Sequence, residues 1–178
     1  METSVIWTVG HSNRPLDELV GLPKDQSIAL LADVRRFPGS KRQPQFAKES
    51  LEAVLRRAAI GYQHFEALGG RRSRQRKGSP NAAWRNESFN AYADHMLTDE
   101  FRAGLDELMA RAASSPTAIL CAEAVPWRCH RQLIADALLA RGWEVRHILA
   151  AGRVLPHRMT EFAKVSKGHV TYPGGTLF

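Results

Sequence analysis

The chain has 178 residues, of which 44% are hydrophobic, so it is long enough to fold as one domain with a sizeable core, and a disordered chain is excluded. Its 25 Lys and Arg residues outnumber 18 Asp and Glu residues, and the net charge of +7 favours nucleic acid or a phosphate-bearing ligand as partner, although a basic host proteome would give the same balance. Two cysteines in one loop exclude a disulfide framework, and no apolar run suits a signal peptide or a membrane span, so we expect a cytoplasmic protein without membrane contact.

Near-continuous apolar runs of strand length alternate with segments of helical periodicity. The runs are residues 5–9, 27–34, 62–65, 117–121 and 143–149. Apolar residues recur at helical spacing in residues 16–20, 50–59, 98–111 and 132–141. Strands that are apolar throughout are typical of a parallel sheet covered on both faces. The sequence therefore predicts an α/β fold of three layers, with a mostly parallel sheet and helices on both faces.

The hydrophobic pattern weakens after residue 150. We therefore expect residues 1–150 to form a single α/β domain, and residues 151–178 to form a C-terminal tail that packs on the domain or extends it. Within the tail, the pattern suggests a short helix around residues 160–165.

The most basic part of the chain follows Gly70 and is rich in turn-forming residues. It places five cations within seven residues, namely Arg71, Arg72, Arg74, Arg76 and Lys77. Clustered cations of this kind bind phosphates and release counterions, so the segment is predicted to bind nucleic acid. A solvated loop without a partner is the alternative.

Polar side chains stand where the apolar runs end. His11, Ser12 and Arg14 follow the first run, Asp33 and Arg35 close the second, and Cys121 and Glu123 close the fourth; the loop before the next helix adds Arg128, His130 and Arg131. Because the carboxyl ends of parallel strands meet at one edge of a sheet, we expect these groups to line one pocket there. Any single residue among them has an ordinary structural explanation, such as an Asp33–Arg35 pair. The set as a whole carries the prediction.

Several chemistries fit this set. The carboxylates of Asp33 and Glu123 suit acid–base or electrostatic catalysis, as in the hydrolysis of glycosidic bonds. The thiol of Cys121 suits nucleophilic catalysis because it precedes a predicted helix and lies near Arg128, although a buried structural cysteine is equally expected. With His11, these residues are the catalytic candidates.

Phosphate binding is compatible with either chemistry, because guanidinium groups and helix N-termini both bind anions. The candidates for it are Ser12, Arg14, Arg35, Arg128, His130 and Arg131. The spacing of Cys121, Cys129 and His130 matches no ordinary zinc site, so we expect neither a metal nor a cofactor.

Five short motifs carry a family resemblance. They are Thr8-Val9-Gly10-His11-Ser12-Asn13-Arg14, Ala32-Asp33-Val34-Arg35-Arg36-Phe37-Pro38, Gln45-Phe46, Leu68-Gly69-Gly70, and Cys121-Ala122-Glu123 with Cys129-His130-Arg131. On these motifs the chain resembles the family catalogued as domain of unknown function 488, which implies an α/β fold and no settled activity. The Asp-Val-Arg motif after one strand and the Cys-ended strand after another are also similar to rhodaneses, but the loop here is longer and contains Glu and Pro.

Together these features predict a hydrolase that acts on nucleic acid, such as a base-excising glycosylase, with carboxylates for catalysis and arginines for phosphate. A rhodanese-like or phosphatase-like enzyme that uses Cys121 is the first alternative. A non-catalytic nucleic-acid-binding adaptor, whose function resides in its basic segment, is the second. Dependence on a carboxylate, on a thiol, or on neither separates the three.

Overall fold

A six-stranded sheet forms the centre of the molecule in the computed structural model, which describes residues 4–39, 41–72 and 77–174. Its strands are β1 (Val5–Gly10), β2 (Leu30–Asp33), β3 (Gly61–His64), β4 (Thr117–Cys121), β5 (Glu144–Ala150) and β6 (Arg153–Pro156). Their order across the sheet is β3-β2-β4-β1-β5-β6. The first five strands are parallel, and β6 pairs antiparallel with β5 at one edge. The mostly parallel sheet predicted from the apolar runs is confirmed.

Helices cover both faces of this sheet. They are α1 (Leu16–Asp25), α2 (Lys48–Arg57), α3 (Glu87–His95), α4 (Asp99–Ser114) and α5 (Arg131–Ala140). On one face, Leu19 of α1 and Leu55 of α2 belong to the same buried cluster as Leu120 of β4. On the other face, Leu133 of α5 shares a cluster with Ile119 of β4, together with buried residues of α3 and α4. Successive strand residues alternate between the two cores, which confirms the three layers.

Side-chain caps set the start of two helices on the second face. The Thr98 hydroxyl accepts a hydrogen bond from the backbone N–H of Phe101 (3.2 Å) at the start of α4. The Asn86 side chain accepts one from the backbone N–H of Phe89 (3.2 Å) at the start of α3. Each cap satisfies a backbone donor that the helix itself leaves unpaired, a contribution of about 1 kcal/mol.

The tail contains strands. Residues 160–165 form no helix, so the prediction of a short helix there is wrong. Residues Lys164–Ser166 (β7) and His169–Thr171 (β8) form an antiparallel hairpin instead. Its two-residue turn places Lys167 (φ 50°) and Gly168 (φ 77°) in the left-handed region. Two consecutive residues with positive φ match the twist of a hairpin, and they break a helix.

Candidate functional site

The neighbouring ends of β2, β4 and β1 carry the candidate site. Beyond β1, the backbone N–H of His11 donates to the carbonyl of Cys121 (2.9 Å), and that of Ser12 donates to the carbonyl of Ala122 (2.9 Å). The segments that leave β1 and β4 therefore run side by side. As a result, His11 and Glu123 lie at the same edge of the sheet.

A pocket of about 310 Å³ opens at this edge. Its lining combines four guanidinium groups, three aromatic rings, one carboxylate, two thiols and one imidazole. The lining residues are Arg35, Arg36, Phe37, Gly70, Arg71, Ser88, Phe89, Tyr92, Cys121, Ala122, Glu123, Arg128, Cys129 and His130. A cavity of this size suits a small molecule or a single nucleotide.

Asp33 does not line the pocket, but it holds Arg35, which does. Its side chain is fully buried, and its two carboxylate oxygens accept hydrogen bonds from Nε (2.9 Å) and NH2 (2.7 Å) of Arg35. The Tyr62 hydroxyl donates to the same carboxylate. Burial alone would lower the pKa of Arg35, but the ion pair with Asp33 raises it. Because its oxygens are occupied and it does not line the pocket, Asp33 does not fit the acid–base role predicted for it; it positions Arg35 instead.

The residues that follow β1 lie outside the lining of this pocket. His11 is buried against the ring of Phe46, with ring centroids 4.4 Å apart, and its Nδ1 lies 2.8 Å from the carbonyl oxygen of Ser12. Burial lowers the pKa of His11. Arg14 donates to the carbonyl of Leu149 (2.6 Å) and so ties the end of β1 to β5. The structure thus places His11, Ser12 and Arg14 at the predicted sheet edge without bringing them into this pocket.

Arg131 is fully buried and supports the loop between β4 and α5. Its NH2 donates to the carbonyl of Glu123 (2.8 Å), and its NH1 donates to the hydroxyl of Thr8 (3.0 Å). Phosphate binding was predicted for this residue, but a guanidinium that is buried and bonded to the protein on both terminal nitrogens is not available to a ligand. Arg131 instead fixes the backbone of the loop that carries Glu123.

A buried polar chain extends from Thr8 into the tail. His147 Nδ1 lies 2.6 Å from the Thr8 hydroxyl, and its Nε2 lies 2.9 Å from Nδ1 of His157. His157 Nε2 lies 2.8 Å from Asp136, whose second oxygen accepts from the hydroxyl of Tyr172 (2.7 Å). The sequence patterns did not predict this series of buried polar contacts. The available signal was an aspartate within an otherwise apolar stretch of α5, since a buried carboxylate needs partners.

The two cysteines form part of the pocket lining and touch one another. Their Sγ atoms lie 2.6 Å apart, and both thiols are free. Burial, followed by its neighbour Cys129, raises the pKa of Cys121 well above its usual value. Burial alone would also raise the pKa of Cys129, but the Cys121 thiol and the guanidinium and backbone N–H of Arg131 lower it on balance. Cys129 is therefore the more acidic thiol of this pair, whereas the sequence analysis named Cys121 as the candidate nucleophile.

His130 lies beside Cys129 in a fixed orientation. Its Nε2 lies 2.9 Å from the carbonyl oxygen of Val34, and its Nδ1 lies 3.5 Å from the Sγ of Cys129. A carbonyl oxygen accepts only, so Nε2 carries the proton and Nδ1 is left as an acceptor in the neutral ring. Burial lowers the pKa of His130, which favours that neutral form. The ring packs closely against Gly70, where a β-carbon would lie 2.8 Å from Nδ1.

Glu123 provides the carboxylate of the pocket. Its side chain is exposed, and it forms no hydrogen bond or ion pair with any of the described residues. Arg128, also exposed, lines the same pocket from the other end of the loop. Glu123 is thus open to a ligand, in contrast to Asp33.

The basic segment only partly belongs to the pocket. Arg71 is exposed and lines it, whereas Arg72 folds back and donates to the carbonyls of Gly69 (3.1 Å) and Glu66 (3.0 Å). Lys77 is exposed and does not line this pocket. The remaining two predicted cations, Arg74 and Arg76, lie outside the described residues.

The part of the chain that the structure describes contains neither a metal-binding cluster nor a membrane-spanning helix. Across residues 4–39, 41–72 and 77–174, no group of three or more His, Cys, Asp or Glu side chains is arranged to hold a metal ion. In the same ranges no helix combines the length and the apolar character needed to cross a membrane.

Comparison with known proteins points to one family. The family model described as "Domain of unknown function DUF488" matches residues 15–138, which include Asp33, Arg35 and the whole loop between β4 and α5. No curated protein and no solved structure matches the chain.

Proposed function

Because this chain belongs to the DUF488 family, whose description carries no reaction, we propose its function from the pocket: it is a hydrolase that acts on a nucleotide unit of nucleic acid, in the manner of a base-excising glycosylase. The observation that carries the proposal is the open carboxylate of Glu123 in a pocket that also contains four arginines and three aromatic rings. The pocket thus offers arginines for the phosphate, aromatic rings for the base, and a carboxylate for the bond that breaks.

The arginines bind the phosphates. A guanidinium group binds phosphate oxygens through two parallel hydrogen bonds, which a lysine cannot do. Arg35 is held in place by the buried Asp33, so it loses little conformational freedom when it binds an anion. Arg36, Arg71 and Arg128 surround the same cavity. Their combined charge attracts the polyanionic backbone and fits the net charge of +7.

The aromatic rings bind the base. Phe37 is 63% exposed, and the guanidinium of Arg36 lies over its ring, 5.3 Å from the centroid. Phe89 lines the cavity nearby, and the buried ring of Tyr92 forms part of its wall. Aromatic side chains stack on bases that have left the helical stack, and a cavity of about 310 Å³ admits one such nucleotide but no duplex. The substrate nucleotide is therefore unpaired or flipped out of a duplex.

Glu123 performs the chemistry. A carboxylate beside the sugar stabilises the positive charge that develops as the glycosidic bond breaks, and it can take a proton from the attacking water. The hydrogen bond from Arg131 to the Glu123 carbonyl holds the backbone in place while the side chain stays free for the substrate. Asp33 contributes indirectly, through Arg35.

The test compares Glu123→Gln with Glu161→Gln, an exposed glutamate on a turn of the tail. Single-stranded and duplex oligonucleotides that contain ordinary, deaminated or alkylated bases are assayed for base release and strand cleavage. We expect Glu123→Gln to lose about a hundredfold or more in rate with little change in binding, and Glu161→Gln to keep both. Binding without turnover by the unaltered protein on every substrate would favour the non-catalytic adaptor.

A further inference from the structure

We propose that Cys129 and Cys121 form a dithiol that hydroperoxides oxidise to a disulfide within the pocket. This chemistry uses other groups than the hydrolase proposed above, and it does not depend on Glu123. The geometry of the two sulfurs and of His130 supports it.

The two thiols are already in contact at the surface of an accessible cavity. Cys121 ends β4 and Cys129 stands just before α5, so the loop between them brings them together, with their Sγ atoms 2.6 Å apart. Their residues are only 1% and 4% exposed, yet both line the pocket of about 310 Å³. A molecule as small as hydrogen peroxide can enter a cavity of that size.

A proton acceptor stands beside one of the two sulfurs. His130 Nδ1 lies 3.5 Å from Cys129 Sγ, and the bond from Nε2 to the Val34 carbonyl leaves Nδ1 free to accept the thiol proton. The backbone N–H of Arg131 points to the same sulfur at 3.5 Å, and the buried guanidinium of Arg131 adds positive charge nearby. Two cysteines that merely filled space would need none of these groups.

The two thiols therefore have different roles. The pKa of Cys129 is lowered by Cys121 and Arg131 against the opposing effect of burial, whereas burial raises the pKa of Cys121. Only the thiolate is a nucleophile, so Cys129 attacks the peroxide. Cys121, which is adjacent and keeps its proton until the sulfenic acid has formed, then resolves that product.

The reaction takes place in two steps. The Cys129 thiolate, its proton passed to His130, attacks one peroxide oxygen; an S–O bond forms, the O–O bond breaks, and the departing alkoxide or hydroxide takes that proton and leaves as alcohol or water. Cys129 is now a sulfenic acid. The Cys121 thiol then gives up its proton as its sulfur attacks the Cys129 sulfur; the S–S bond forms, the S–O bond breaks, and the departing hydroxide takes up that proton and leaves as water. Two thiols lose two electrons and the peroxide gains them.

The test follows disulfide formation in the full-length, pre-reduced protein exposed to hydrogen peroxide at neutral pH. Intact mass and free-thiol titration measure the reaction for native protein and for the same protein unfolded in urea. We expect the native protein to form the disulfide at least about tenfold faster, because folding supplies the thiolate and places its partner. A native protein that keeps both thiols, or that reacts more slowly than the unfolded chain, overturns the proposal.

Two variants assign the roles. In Cys121→Ser, a sulfenic acid should persist on Cys129, and dimedone should trap it there. In Cys129→Ser, oxidation should slow by about tenfold or more, because the remaining thiol is mostly protonated. Equal rates in the two native variants, each checked for folding by circular dichroism, would contradict the assigned attack by Cys129. Because the readouts are mass and thiol content, they do not depend on hydrolase activity.

Discussion

The α-carbon of Gly10 lies so close to the loop after β4 that a β-carbon on it would be 1.7 Å from the carbonyl oxygen of Glu123. That same oxygen accepts the hydrogen bond from Arg131. The end of β1 and the backbone of the catalytic candidate are thus packed directly against one another. Gly10 is required here because of this close approach, since its own backbone belongs to a regular strand.

Gly10→Ala should therefore destabilise the protein. The new methyl group forces the loop away from β1, and overpacking of this kind costs about 1–3 kcal/mol or more. Urea denaturation measures the change in the free energy of unfolding. Gly21→Ala is the matched control, because nothing lies within 4 Å of a β-carbon there and alanine favours the helix α1. If both variants unfold at the same urea concentration, Gly10 does not lie against the carbonyl of Glu123 in the folded protein.

Asp33→Asn should be costly to stability even though it alters few atoms. It leaves the buried Arg35 guanidinium without its counter-charge, and breaking one partner of a buried ion pair typically costs about 3–5 kcal/mol. Tyr62→Phe removes a single hydrogen bond to the same carboxylate and should cost only about 1 kcal/mol. Denaturant titration of both variants checks this order. If Asp33→Asn lowers the free energy of unfolding no more than Tyr62→Phe does, Asp33 does not hold Arg35 in position.

Most elements of the fold could be predicted from local pattern, because the central strands β2 and β4 are buried on both sides and the helices each have one apolar face. The hairpin of the tail was missed because its signal is one turn, Lys167-Gly168, in a segment with few apolar residues. The edge of the sheet where the site lies followed from topology. The side chains that face the pocket could not be predicted in the same way, because their orientation depends on packing between segments that are distant in the sequence.

The two carboxylates and the two cysteines show this limit. Asp33 and Glu123 look alike as strand-end acids, and only the placement of Tyr62 and Arg35 reveals that the first is occupied. Likewise, Cys121 and Cys129 differ through their contact with each other and through Arg131, whose side chain is held by Thr8, far away in the sequence.

Stability should rise with pH in mildly acid solution because of His147. Burial, followed by the neighbouring His157 and Arg131, lowers its pKa from 6.5 to about 3. Between these values the unfolded chain binds a proton that the folded protein excludes. The contribution to stability is therefore complete above pH 6.5 and is lost as the pH falls toward 3.

Urea titrations at several pH values from about 5 to 7, where most carboxylates stay ionised, measure this slope. His147→Asn should flatten it by up to about 1.4 kcal/mol per pH unit, whatever its effect on stability at neutral pH. His169→Asn, at an exposed position, should leave the slope unchanged. An unaltered slope in His147→Asn would show that another group carries the dependence.

Nucleic acid should bind with a strong dependence on salt, through the exposed arginines of the pocket. Each phosphate contact adds about one unit to the slope of log affinity against log salt. Arg71→Ala and Arg128→Ala should each lower affinity for any sequence and reduce that slope by about one. Arg56→Ala, whose side chain is 78% exposed on α2, should change neither quantity. Fluorescence anisotropy over a salt series is the measurement, and equal effects of all three changes would indicate only diffuse attraction.

Phe37 should provide base stacking, and Trp127 should not, although both are large exposed aromatic residues. Phe37 is 63% exposed and lines the cationic pocket, whereas Trp127 is 57% exposed and lines a separate cavity beside His147 and His157. Loss of one base–aromatic stack costs about 1–3 kcal/mol of single-strand affinity. Phe37→Ala should therefore weaken binding of a short single-stranded oligonucleotide by about fivefold or more, and Trp127→Ala should leave it unchanged.

Both side chains are exposed, so neither change should greatly alter the free energy of unfolding, and the comparison isolates recognition from stability. If Trp127→Ala weakens binding and Phe37→Ala does not, the base is held in the second cavity, and the assignment of the substrate to the pocket of Glu123 is wrong.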